Sequence, residues 1–143
     1  MRSTIVKALA LSVAALAMPA VASAQGGLES RLFSPELIMK FGSDVGITDA
    51  QRETIRGEIK AMQSDVVDLQ WQMEEEGKRL DELLEGTRVD VDAVLAQVDR
   101  VLKVELQVKK RHLRALLRIK NSLTAEQQRK LLLIKQEGPD ALR

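Results

Sequence analysis

The sequence predicts an all-α protein built on one long antiparallel helical hairpin, with short helices at its open end. Three observations predict this. From Ile55 to Leu83 apolar residues recur in steps of four and three (Ile55, Ile59, Met62, Val66, Leu69, Met73, Leu80, Leu83), broken once at Glu76, as on the seam of a coiled coil. A second stretch, from Val91 to about Asn121, contains neither proline nor glycine and is also rich in apolar residues. The few residues between them force two long helices to run side by side in opposite directions.

The elements follow in order. The first 24 residues read as an export signal: Arg2 and Lys7 at the start, an apolar run from Leu9 to Ala17, and Ala22-Ser23-Ala24 as a small-residue cleavage pattern. Residues 25–33 read as a flexible tether, 34–137 as the helical domain, and 138–143 as a tail. Ser34, Pro35 and Glu36 open a first helix with a capping hydroxyl, a proline in the first turn and an acid at the positive dipole end. It is expected to end near Asp44 or Val45.

Thr48 and Gln51 then form a capping box, in which the hydroxyl and the amide each satisfy a backbone N–H. The long second helix, Asp49 to Leu84, spans roughly 54 Å and is expected to stop at Gly86 in a left-handed conformation. Asp90 caps the third helix. With the tip between Glu85 and Val91, Ile59 is expected to face Leu116, Met62 Leu113, Leu69 Leu106, Met73 Leu102 and Leu80 Leu95. Thr124 and Gln127 repeat the capping box and open a fourth helix through about Gln136, ended by Gly138 and Pro139.

Composition narrows the function. The chain has no cysteine, so thiolate chemistry and disulfides are excluded. Removing Arg2 and Lys7 leaves 20 basic against 21 acidic residues, a balance that asks for no nucleic acid. No stretch approaches the roughly 20 apolar residues of a membrane span. A single histidine, no serine beside it and no glycine-rich phosphate loop give catalysis no support. The acids Glu74, Glu75 and Glu76 read as a solvated face.

The paired motifs carry a family resemblance. They stand as Ile47-Thr48-Asp49-Ala50-Gln51, which departs at its first residue, and Leu123-Thr124-Ala125-Glu126-Gln127, a full match to LTxxQ. An exported, cysteine-free, all-helical chain with two such motifs resembles the periplasmic Spy and CpxP proteins, whose metal-linked relatives are ZraP and CnrX. The resemblance implies a hooked four-helix protomer that dimerises into a curved cradle in the periplasm. For Spy-like members it implies ATP-independent chaperone activity on unfolded or partly folded envelope proteins. For CpxP-like members it implies an envelope-stress adaptor that binds a sensor kinase. For the metal-linked branch it implies zinc, nickel or cobalt sensing or resistance. A third possibility is a structural coiled-coil subunit.

Charge patterning supplies the candidate surface. From Lys103 to Lys120 on the third helix, Lys103, Lys109, Lys110, Arg111, Arg114, Arg118 and Lys120 stand against the lone acid Glu105, while Asp65 to Glu85 is acidic. Two outcomes are open. Either the basic arm is neutralised by the neighbouring helix, or Arg111, Arg114 and Arg118, beside Val101, Val104 and Val108, attract and hold unfolded chains. A divalent metal would draw on His112, with Glu105, Met39 or Glu58 as companions. Leu116 stands one turn after His112, where the CnrX branch has methionine, and a lone histidine among hard oxygens is a poor transition-metal set. Met62 and Met73 lie on the seam and read as packing residues.

Overall fold

The computed structural model describes residues 27, 28 and 30–142, and the regular elements among them are all helical. The chain divides into a unit ending at Arg31 and a unit from Leu32 onward. The first 24 residues, read as an export signal, lie outside the described residues. In the first unit, the Ser30 hydroxyl donates to the Gly27 carbonyl at 2.9 Å. The second unit contains α1 (Pro35–Val45), α2 (Asp49–Leu83), α3 (Val91–Ser122) and α4 (Ala125–Glu137), then a 3₁₀ turn at Pro139–Leu142. No helix among the described residues is long and apolar enough to cross a membrane.

Local chemistry explains the helix starts. The Ser34 hydroxyl accepts the Leu37 N–H at 3.2 Å. Phe33 just before this cap and Ile38 on the first turn are both buried, the arrangement of a hydrophobic staple. Both capping boxes are formed, at Thr48 and at Thr124, and the Asp90 carboxylate accepts the Ala93 N–H at 3.1 Å. Gly46 ends α1 at φ 75°, in the left-handed region that glycine enters without steric cost.

Three expectations about boundaries are corrected. Helix α2 ends at Leu83, capped by Leu84 in a right-handed conformation, and Gly86 does not take positive φ. Close approach requires glycine there instead, because a Cβ would stand 2.9 Å from the Arg88 carbonyl oxygen. The tether and the tail are both shorter than expected. Leu32 and Phe33 are 4% and 3% exposed, and the Leu32 carbonyl accepts the Lys135 ammonium at 2.9 Å. At the other end Leu142 packs against the core.

That core gathers where four segments converge. Ile38 of α1, Ile55 of α2, Ile119 of α3 and Leu131 of α4 are at most 1% exposed, and Val45, Ile47, Leu123 and Ile134 complete the cluster. Burying each such aliphatic side chain contributes about 1.5–3 kcal/mol.

Away from this core α2 and α3 are in contact chiefly with each other. Glu58 meets Arg118, Asp65 meets Arg111 and Glu76 meets Gln97, so the partner's number falls as the position rises and the two helices run in opposite directions. The inner face of α2 carries Ile55, Ile59, Met62, Val66, Leu69 and Met73, and the gap in the seam is filled by half-buried Glu76.

The rotation of α3 differs from the expected one. Leu95, Leu102 and Leu106, expected to face Leu80, Met73 and Leu69, are 57%, 45% and 50% exposed, while Leu113 and Leu116 are half-buried. The inner face is instead Gln97, Val104, Ala115 and Ile119, with Val101, Val108 and Arg111 half-buried. Val104 lies two positions before Leu106, so α3 is turned by about 200°, roughly half a turn, from the expected orientation. The polar side chains supply the reason. In this orientation Gln97 reaches Glu76 and Arg111 reaches Asp65, and turning the leucines inward would carry both away from α2.

Candidate functional site

Two arrangements on this scaffold are built from the residues singled out in the sequence. The first is a clasp between the two motifs. The Gln51 amide donates to Gln127 Oε1 at 2.8 Å, and the Gln127 amide donates to Gln51 Oε1 at 3.0 Å. Each oxygen also accepts the backbone N–H of its own cap, Thr48 at 3.0 Å and Thr124 at 2.9 Å. Each nitrogen also donates to a carbonyl at the other motif, Gln51 to Ser122 at 2.8 Å and Gln127 to Gly46 at 2.7 Å. Gln127 is 7% exposed. No buried side-chain nitrogen or oxygen among the described residues lacks a partner, as a polar network at a core edge requires. The clasp ties the start of α2 to the start of α4, so these four residues act on architecture.

The second arrangement is the charged flank of α2 and α3. Arg111 Nη1 lies 2.8 Å from Asp65 Oδ2, and Arg118 Nη1 lies 3.5 Å from Glu58 Oε2. Part of the basic arm is thus neutralised. Arg114 stands on the same flank, exposed, and pairs with no carboxylate among the described residues. A shallow depression of about 150 Å³ lies between these groups, floored by Ala61, Met62 and Ala115. It is too small and too open for a drug-sized ligand.

The apolar half of the candidate surface is corrected. Val104 is 6% exposed and Val101 and Val108 are half-buried, all on the inner face of α3. They lie on the side of α3 toward α2, with Val101 and Val108 keeping part of their surface outside. The large apolar side chains left outside on the two long helices include Val67 and Trp71 of α2, at 49% and 69% exposure, and Leu95, Leu102, Leu106 and Leu117 of α3. Trp71, the chain's single tryptophan, stands opposite the seam.

The metal candidates are not brought together. His112 and Glu105 are exposed on α3, Met39 is 42% exposed on α1, and Glu58 is engaged by Arg118. Among the described residues no three His, Asp or Glu side chains group to hold an ion. The Glu126 carboxyl is held below its ordinary range by the hydrogen bond and charge of Lys130, 3.1 Å away, and it is exposed.

Sequence reasoning overlooked Gln97. It is 5% exposed and donates to both the Glu76 carbonyl, at 2.8 Å, and the Glu76 carboxylate, at 2.7 Å. Its signal was the break in the α2 seam, because a polar residue on a seam asks for a polar partner across it.

No protein-family model, curated protein or solved structure matches the chain.

Proposed function

We propose that this protein is a periplasmic, ATP-independent chaperone or envelope-stress adaptor of the Spy and CpxP kind. It would fold as a hooked helical hairpin, act as a dimer and hold unfolded or partly folded envelope proteins. The observation that carries this reading is the exposure of large apolar side chains among charges on α2 and α3, above all Trp71 and Val67, with only a shallow depression on the charged flank beside them. A surface of this kind suits a flexible client, which makes modest apolar contacts in many poses and is drawn in by charge. Arg114, with no carboxylate partner among the described residues, is the cation we assign to that attraction. Binding the unfolded state is itself the protective activity and consumes no nucleotide.

The test is suppression of aggregation of a reduced or heat-unfolded client by the purified protein, run with chelator and with added zinc. Protection near stoichiometry that ignores both additions is the expected result, unchanged in His112→Ala. Arg114→Glu should weaken protection severalfold while leaving helix content intact. Protection that appears only with zinc and vanishes in His112→Ala would replace this reading by metal sensing.

A further inference from the structure

The depression on the charged flank selects among the basic residues of α3. Between Lys103 and Lys120 there are four lysines and three arginines, and the three arginines, Arg111, Arg114 and Arg118, all line it. None of the four lysines does. Lysine carries the same charge, whereas the guanidinium is a rigid planar fork that meets an oxyanion with two hydrogen bonds at once. Ion pairing with α2 accounts for Arg111 and Arg118, held by Asp65 at 2.8 Å and by Glu58 at 3.5 Å. It does not account for Arg114, which is exposed and pairs with no carboxylate among the described residues.

We propose that this depression is a binding site for a phosphate group, either free or carried as a monoester. At positions 111, 114 and 118 the three side chains leave α3 within about 60° of one another and along roughly 10 Å of its axis, with Arg114 between the other two. Short side chains make the space. Ala61 of α2 and Ala115 of α3 leave about 150 Å³ between the charged groups, several times the roughly 30 Å³ that one water takes up in the liquid. The donors are at hand as well. A guanidinium carries five N–H donors, and Arg111 and Arg118 each engage their carboxylate through Nη1 alone. Charge and oxygen count then fix the class of ligand. Three guanidinium groups against the carboxylates of Glu58 and Asp65 leave one net positive charge, which attracts an anion and repels a metal cation. A phosphate monoester brings three strong acceptor oxygens, one for each arginine, and a charge of about −1.5 to −2 at pH 7. A carboxylate has only two oxygens to offer. The site shares Arg114 with the client surface but does not rest on that reading, since it needs no client.

Heteronuclear NMR of the purified protein tests the assignment, with inorganic phosphate titrated against sodium chloride at constant ionic strength. Saturable shifts of the Arg114 side-chain N–H and of the Ala61 and Ala115 backbone amides are the expected result. Arg114→Gln should weaken binding about tenfold, and Arg114→Lys, which keeps the charge and loses the fork, about threefold. Lys109→Gln removes the same charge from the far side of α3, about 140° around the helix from Arg114, and should change affinity by less than about twofold. Both positions are exposed, so circular dichroism should show all three variants with the helix content of the wild type. Shifts that do not saturate, an Arg114→Gln variant that binds like the wild type, or a loss as large in Lys109→Gln as in Arg114→Gln would each overturn the site. Flotation with phosphatidylcholine vesicles containing phosphatidic acid, whose headgroup is a phosphomonoester, separates the two sources. Flotation that inorganic phosphate competes away and Arg114→Gln abolishes assigns the site to a lipid headgroup. Phosphate binding without flotation assigns it to a soluble phosphate. Client protection measured on the same samples separates the site from the chaperone. A protein that binds phosphate but protects no client keeps the site and removes the chaperone, and one that protects clients but shows no phosphate shifts does the reverse.

Discussion

The glutamine amides of the two motifs carry the most consequence per residue. Gln51 and Gln127 each satisfy a helix cap, a distant carbonyl and the other amide. Truncating either leaves several polar groups at the core edge without partners, at a cost of about 1–3 kcal/mol. Gln127→Ala, the more buried of the two, should lower stability by about 2 kcal/mol in a denaturant titration. The double variant with Gln51→Ala should cost less than the sum of the singles, because both report one network. By contrast Arg111→Ala should change stability by less than about 1 kcal/mol, since its pairing with Asp65 is solvent-exposed. The capping boxes were legible because a capping box is a local pattern spanning four residues. The clasp was not, because its two halves are 76 residues apart and nothing local in either announces the other.

At the scale of the element, the orientation of α3 is the informative case. Two stripes on this helix repeat with near-heptad spacing, a leucine stripe through Leu95, Leu102 and Leu106 and a smaller one through Gln97, Val104 and Ala115. Periodicity locates both and ranks neither, and a preference for the larger side chains selects the wrong one. Exposed leucines are common on protein surfaces, whereas a buried polar group must find a partner. The pairing of Gln97 with Glu76 therefore decides the rotation, and the interruption of the α2 seam at Glu76 was its visible trace. The consequence is measurable: Val104→Ala should destabilise the protein by about 1–2 kcal/mol, while Leu106→Ala measured below the dimerisation range should cost less than about 0.5 kcal/mol. Equal costs would return the leucine stripe to the interior.

At the scale of the whole molecule, the all-helical architecture was legible because helix starts, helix periodicity and a short connection all agreed. The surface was not, because the side chains left exposed depend on the rotation of α3. Once that rotation is known, the valines turn toward α2, Arg111 and Arg118 of the basic arm are paired with acids of α2, and Trp71 with Val67 and Arg114 remains as the surface we assign to clients. Trp71, as the chain's single tryptophan and 69% exposed, reports directly on this surface. The measurement that tests the account most directly is its fluorescence during titration with a tryptophan-free, partly unfolded client in the presence of chelator. A blue shift and protection from acrylamide quenching, both absent with the folded form of the same client, are the predicted result. Emission that stays unchanged at client concentrations where aggregation is suppressed, or that responds only after zinc is added, would contradict it.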